Sequence, residues 1–307
     1  MVAIEQMTVL FIIMLVGYIA FKKDILTESI NKKISGIVLY VANPAMILSS
    51  VMGDNSKITG ESLAVMVMVT IVAYMLLITI SFIVPRIFMI DKDSINTYSI
   101  MIVFSNISFM GMPIVRSLVG ESGLLYAAIY VIPFNVLIYT YGIAMLKSNR
   151  ENKNDGRQMG KSIINIGTIA SIIAIVIFMV DVPIPYVISE SCDMLGNLTA
   201  PLSMMVIGAS FATINIGKLF KDVRLLLFFL FKQFIIPIVG ITILRLFIND
   251  EMIVDVMFVM LATPVASMVA MLTQEYDGDF MLATRGVALS TIISVISIPI
   301  ISAVMNI

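Results

Sequence analysis

The chain has 307 residues, of which 60% are hydrophobic and 13% are charged, and its formal net charge is −1. With a mean hydropathy of +1.05, it carries more apolar surface than a soluble core of this length can bury. The basic residues do not form one patch, so nucleic acid is not expected as a partner. We therefore expect a polytopic protein embedded in a lipid bilayer.

The first apolar segment begins almost at the N-terminus. The preceding residues, Met1 to Gln6, lack the basic region of a secretory signal peptide, and no small-residue cleavage site follows the segment. We expect this segment to be kept as a transmembrane helix of the mature protein.

Ten apolar segments follow one another along the chain. Each is about 20 residues long, which is the length that crosses a hydrocarbon core about 30 Å thick. The sequence thus predicts an all-α protein with ten transmembrane helices, at 4–21, 34–53, 63–84, 95–118, 123–146, 162–180, 185–211, 224–246, 254–273 and 281–304.

The basic residues predict the orientation of these helices. The odd-numbered connections hold 15 of the 19 lysines and arginines, and the opposite side holds Lys57, Arg116 and Arg245. Because cytoplasmic loops are enriched in Lys and Arg, both termini are expected outside the cytoplasm. A cell (plasma) membrane is the expected location.

The longest polar connection divides the chain into two halves. We expect a first five-helix repeat at 1–146, a cytoplasmic loop at 147–161 and a second repeat at 162–307. Five is an odd number, so two halves that share a fold must be inverted relative to each other, as in many secondary transporters. Prolines at corresponding places support this prediction: Pro44 with Pro201, and Pro113 with Pro264.

Span four contains the sequence Asn-Ile-Ser-Phe-Met-Gly-Met-Pro, residues 106–113. Such a run interrupts a helix where no water can pair the freed backbone, and interruptions of this kind persist mainly where they line a site. Span nine has a corresponding interruption at Thr263-Pro264. The two interruptions therefore predict a substrate site at the membrane midplane.

The chemistry expected at this site suits an anion. Proline is tolerated in the first turn of a helix, so Pro113 and Pro264 are predicted to begin the second half of each broken helix. A helix N-terminus offers free N–H groups and a partial positive charge. Gly111 is expected to let the two segments approach closely. The predicted substrate-binding residues are Asn106, Ser108, Gly111, Pro113, Thr263, Pro264 and Ser267, with Ser105 nearby.

Charged residues within the spans are few. Lys232 lies about two turns from the cytoplasmic end of span eight, and we expect its ammonium to snorkel to the interface; a role as counter-charge to a substrate is the alternative. Acidic residues near span ends are expected in interfacial or solvated positions: Glu190, Asp193, Glu275, Asp277 and Asp279. The coupling ion, H⁺ or Na⁺, is left open.

The residue inventory disfavours an enzyme. The single Cys192 permits no disulfide within the chain, and the absence of His removes the usual transition-metal ligand. No zinc motif and no acidic pair deep in a span is found. We expect no cofactor, no metal and no catalytic residue.

The run from Asn106 to Pro113 resembles the crossover motif of the auxin efflux carrier family, which includes plant PIN-FORMED carriers and bacterial carriers of malonate or malate. Further similarities are Gly17-Tyr18, Pro201 with Gly208, Pro264-Val265-Ala266 and Tyr276 to Asp279. The family often has Gly where this chain has Ser108. The loop at 147–161 is much shorter than in the long plant carriers.

This resemblance implies helices four and nine that cross near their prolines and hold an anion there. It also implies a scaffold of helices one, two, six and seven, often dimeric, against which the others move as an elevator. The function expected is secondary transport of small organic anions, such as malonate, malate or auxin-like acids. An anion-binding sensor or a channel is the alternative.

Overall fold

The computed structural model describes residues 2–52, 59–147, 166–180, 183–213, 221–276 and 278–306. Within these ranges the regular structure is helical, and the only bridge between extended segments is an isolated one. The predicted all-α class is therefore confirmed.

The helices of the first half run in chain order from the N-terminus to Lys147. Some of them continue one another through π turns, which are single turns wound one residue wider than an α-helix. The elements are α1 (Val2–Lys22), α2 (Glu28–Ile37), a π turn (Val38–Ala42), α3 (Asn43–Ser49), α4 (Gly60–Ile87), α5 (Lys92–Val103), a π turn (Ile107–Gly111), α6 (Met112–Leu118), α7 (Glu121–Leu137), a π turn (Ile138–Gly142) and α8 (Ile143–Lys147).

The second half follows a similar order. Its elements are α9 (Ile166–Val180), α10 (Tyr186–Gly196), α11 (Thr199–Phe211), α12 (Val223–Leu230), a π turn (Phe231–Ile235), α13 (Ile236–Leu244), α14 (Glu251–Ala262), α15 (Ser267–Glu275) and α16 (Phe280–Met305).

Each predicted apolar segment falls on one helix or on consecutive helices where the structure describes it. In the described ranges, five helical stretches are long and apolar enough to cross a membrane: Gly60–Ile87, Glu121–Lys147, Tyr186–Phe211, Val223–Leu244 and Phe280–Met305. The ten-span count and the inverted repeat stay predictions. The predicted loop 147–161 lies, apart from Lys147, outside the described residues.

Three of the four π turns in the described ranges end two residues before a proline. These prolines are Pro44, Pro113 and Pro237. Proline has no N–H, and its ring clashes with the carbonyl four residues earlier in an α-helix. In each case the residue before the proline donates to the carbonyl five residues back, as Met112 does to Ile107. The wider turn keeps the helix hydrogen-bonded where proline would otherwise break it.

Helices α1 and α11 pack backbone against backbone. A Cβ atom added at Gly17 would overlap the carbonyl oxygen of Met205, and one added at Gly208 would overlap the carbonyl oxygen of Met14. These two glycines, which in the sequence only supported a family resemblance, therefore set the distance between the helices.

The helices pack in two groups around this contact. Helices α1, α2, α3, α9, α10 and α11 contact one another, and they correspond to predicted spans one, two, six and seven. The other helices surround the breaks between α5 and α6 and between α14 and α15. Outward faces are apolar, for example at Ile12 and Ile19 on α1 and at Met75 on α4. Exposed apolar surface of this extent is what a lipid-facing protein requires.

We predict that Gly208→Ala destabilises the protein because the added methyl group forces α1 and α11 apart. Overpacking of this kind costs about 1–3 kcal/mol, which should lower the midpoint of thermal unfolding in detergent. Gly36→Ala is the matched control, because a Cβ there meets only Tyr40 at 3.9 Å. An unchanged midpoint for Gly208→Ala would show that the two helices are not held at this distance.

Candidate functional site

Two interrupted helices form the centre of the molecule. Helix α5 ends at Val103, and the backbone is extended from Phe104 before helical structure resumes at Ile107. Helix α14 ends at Ala262, and Thr263 and Ala266 have extended backbone angles. Pro264 explains the second break, because proline cannot donate to the helix and drives the preceding residue out of the helical region.

The two breaks pair with each other in antiparallel fashion. The Asn106 N–H donates to the Pro264 carbonyl at 2.6 Å, and the Ala266 N–H donates to the Phe104 carbonyl at 3.0 Å. Ser105 and Val265 face each other between these two bonds. Each break thus supplies part of the backbone pairing that the other lost when its helix ended. We call this arrangement the crossing.

The helices that leave the crossing begin with free donors. In the ranges that the structure describes, no acceptor pairs with the N–H groups of Ser108 and Phe109, or with those of Ser267 and Met268. The hydroxyl-bearing residues at these two helix starts are reachable, since Ser108 is half-buried and Ser267 is exposed. Helix N-termini with free N–H groups favour negative charge.

The predicted roles of the prolines need correction. Pro113 lies in the first turn of α6, as predicted, but the helical path already resumes at Ile107, through the π turn. Pro264 does not begin a helix: α15 starts at Ser267, and Pro264 lies in the extended segment, where its carbonyl accepts from Asn106. The predictions assumed that proline begins an α-helix. They did not foresee the π turn before Pro113 or the extended backbone around Pro264.

Gly111 was expected to permit close approach, and that expectation is wrong. A Cβ added there would meet Met260 and Thr263 side chains at 3.5 Å, which is ordinary van der Waals contact. The Thr263 hydroxyl, predicted to bind substrate, instead donates to the Met260 carbonyl at 3.0 Å in this structure. The close approach comes instead from direct backbone pairing of the two extended segments.

Asn106 is placed at the crossing as predicted. Asn106 is buried, with 4% of its surface exposed. Its side-chain amide has no hydrogen-bond partner among the described residues. An amide supplies two donors and an acceptor. Asn106 therefore has unused hydrogen-bonding capacity beside the free N–H groups of Ser108 and Phe109.

Lys232 does not snorkel, contrary to the expectation from sequence. The side chain is buried, at 1% exposure, and its ammonium donates to the Ser105 hydroxyl at 3.1 Å and to the Thr263 carbonyl at 3.4 Å. Within the described ranges no carboxylate forms an ion pair with it. Its neighbour Gln233 is buried too. Two adjacent polar residues in an apolar run were the available signal, since polar residues within a span mostly face the protein interior.

Asn43 is a second residue that sequence reasoning did not place at the site. Its amide nitrogen donates to the Ser108 carbonyl at 3.2 Å, and its buried amide oxygen has no partner in the described part of the chain. In the sequence, the Asn43-Pro44 pair served only as evidence for a repeat. The Asn43 side chain instead brings α3 to the first turn after the break.

The acidic residues near the span ends have local roles where they are described. Asp193 pairs with Arg116 at 2.6 Å, and Arg116 also pairs with Glu121 at 2.5 Å. Asp279 caps α16 by accepting from the Leu282 N–H at 2.9 Å. Asp277 lies outside the described residues, as does the side chain of Glu275. None of the described acids pairs with the groups of the crossing.

Comparison with known proteins identifies the family of this chain. The sequence profile of a family described as membrane transport protein matches residues 2–302. An uncharacterized transporter of Methanocaldococcus jannaschii is 24% identical over 305 residues, which is 97% of each chain. The chain therefore belongs to the membrane transport protein family, whose members are auxin efflux carrier-like transporters.

Proposed function

We propose that this transporter carries small organic anions, carboxylates such as malonate, malate or auxin-like acids, across the cell membrane by secondary transport. The substrate would bind at the crossing. The observation that carries the proposal is the positive character of the crossing. Two helices begin there with free N–H groups, and the buried Lys232 ammonium contacts Ser105 and Thr263 without a carboxylate partner in the described ranges.

The electrostatics of the crossing favour a negative ligand. A charge taken out of water is costly unless it is paired and hydrogen-bonded. The free N–H groups of Ser108, Phe109, Ser267 and Met268 add the positive ends of two helix dipoles. A carboxylate bound at the crossing would accept from these groups and lower the cost of holding so much positive potential at membrane depth.

Asn106, Asn43 and Ser267 would give the site its specificity. The buried amide oxygen of Asn43 has no partner among the described residues. Asn106 is buried at the crossing and Ser267 is exposed. Buried polar groups that a ligand must satisfy discriminate strongly against ligands that lack the matching group. Ser108, Gly111, Pro113, Thr263 and Pro264 would shape the site, mainly through their backbone.

An elevator mechanism is our proposal for the transport cycle. The helices corresponding to spans one, two, six and seven pack as one group, and the crossing lies in the other. The first group would stay fixed in the membrane as a homodimer, since its exposed apolar faces suit a second copy as well as lipid, and the second group would carry the substrate. Both termini would lie outside the cytoplasm.

We predict that Asn106→Ala greatly lowers saturable flux of the transported acid while leaving the yield of folded protein nearly unchanged. Losing a hydrogen bond to a charged ligand costs about 1.5–3 kcal/mol, or about 10- to 100-fold in affinity. The measurement is uptake into proteoliposomes with a panel of mono- and dicarboxylates. Asn197→Ala is the matched control, since Asn197 is exposed and its side chain bonds only to Asp193 among the described residues.

Three results of that experiment would contradict the proposal. Equal loss of flux and folded yield in Asn106→Ala would make the residue structural. Flux that does not saturate would indicate a channel. Binding of an acid without flux, under imposed proton, Na⁺ and voltage gradients, would indicate a sensor.

We also predict that a cysteine at position 267, in a Cys192→Ser background, reacts with a charged thiol reagent and is protected by the transported acid. Ser267 is exposed and begins α15, so a ligand at that helix end would cover it. Ser191→Cys in the same background is the control, because Ser191 is exposed on α10. Equal labelling of position 267 with and without the acid would place the ligand elsewhere.

A further inference from the structure

We propose that the Lys232 ammonium is the resident cation of the crossing, bound where a Na⁺ ion would otherwise sit, so that transport does not use Na⁺. This role deepens the proposed function and rests on it for the substrate, but the cation site itself follows from contacts that need no substrate.

The ammonium lies where two helices end. Thr263, whose carbonyl accepts from Lys232, is the C-terminal cap of α14. Ser105, whose hydroxyl accepts from Lys232, follows Phe104, the C-terminal cap of α5. Lys232 thus contacts both helix ends at once from a third element, the π turn Phe231–Ile235.

Both helix ends leave carbonyl groups unpaired. In the described ranges no donor pairs with the carbonyls of Ile102 and Val103 at the end of α5, or with those of Leu261 and Ala262 at the end of α14. Each helix C-terminus carries about −0.5 elementary charge, so the two ends together amount to about −1. One ammonium balances that charge.

The atoms around Lys232 are also the kind that bind Na⁺ in membranes. Unwound backbone carbonyls and half-helix C-termini coordinate Na⁺ in secondary transporters built on broken helices. In this chain the hydroxyl and carbonyl oxygens at 3.1 and 3.4 Å are occupied by a covalently attached cation. A Na⁺ ion cannot take the same oxygens while the ammonium is present.

The residue after Lys232 is also linked to the crossing. Gln233 donates to the Ser290 carbonyl at 3.1 Å, and the Ser290 hydroxyl accepts from the Val265 N–H at 3.0 Å. Through Ser290, Gln233 is thus linked to Val265, the residue that faces Ser105 in the crossing. The π turn therefore directs two successive side chains at the crossing, and only one of them carries the charge.

The test is the thermal unfolding of the purified full-length protein in Na⁺, K⁺ or choline salts of one anion, at fixed ionic strength and without any organic acid. We expect the wild-type midpoint to be the same in all three salts. For Lys232→Ala we expect a lower midpoint that rises with Na⁺ concentration and saturates, as it does for a ligand that binds the folded state only. Gln233→Ala, which removes an equally buried neighbour but no charge, should show no Na⁺ response.

Two results would overturn this role for Lys232. A saturable Na⁺-specific stabilisation of the wild type, or wild-type flux driven by a Na⁺ gradient, would show that Na⁺ binds despite the ammonium. Folded Lys232→Ala without a Na⁺ response would show that the oxygens around the ammonium do not form a cation site. If Lys232→Ala does not fold, Lys232→Met, which keeps most of the side-chain volume but carries no charge, takes its place in the same Na⁺ titration.

The cation site and the proposed function can fail independently. The unfolding experiments contain no organic acid, so a failure to find a transported acid leaves their result valid. Conversely, Na⁺-driven flux of an acid would support the proposed function and refute the assignment of Lys232 as the resident cation.

Discussion

The structure depends on the pairing of two interrupted helices with each other. At membrane depth no water can satisfy a backbone group, so a broken helix is tolerated only where another part of the protein supplies partners. The bonds from Asn106 to Pro264 and from Ala266 to Phe104 are those partners. Each break supplies backbone partners to the other, and Asn106, Ser105 and Val265 are placed where the two segments cross.

The same pairing leaves two kinds of unpaired backbone groups at the crossing, carbonyls with partial negative charge and N–H groups with partial positive charge. Helix ends that arrive at the crossing leave carbonyls unpaired within the described ranges, and helix ends that depart from it leave N–H groups unpaired. Lys232 lies against the first kind through Ser105 and Thr263. Because the cation already compensates the carbonyl ends, the N–H ends keep their positive potential for a ligand. One buried side chain thus connects the stability of the crossing with the negative charge that we propose for the substrate.

Sequence patterns located the breaks but not all the side chains that meet there. Proline and asparagine in a long apolar run indicate an interruption wherever the partner helix lies, so Asn106 and the segment at Pro264 were found. Hydropathy gives the depth of a residue in the membrane but not the direction it faces, and Lys232 was therefore assigned to the interface although it is buried. Asn43 reaches the site from α3 through Ser108, a contact between distant parts of the chain that no local pattern records. The π turns ahead of Pro44, Pro113 and Pro237 were missed because the rules for proline were applied to α-helices alone.

The backbone contact between α1 and α11 restricts which parts of the protein can move. The carbonyl oxygens of Met14 and Met205 fill the spaces that Gly208 and Gly17 leave open. Each carbonyl oxygen therefore lies where a side chain of any other residue would stand, and the two helices approach closely at two positions at once. This two-point contact favours movement of α1 and α11 together as one block. In the elevator that we propose, the sliding surface would therefore lie elsewhere, between this block and the helices of the crossing.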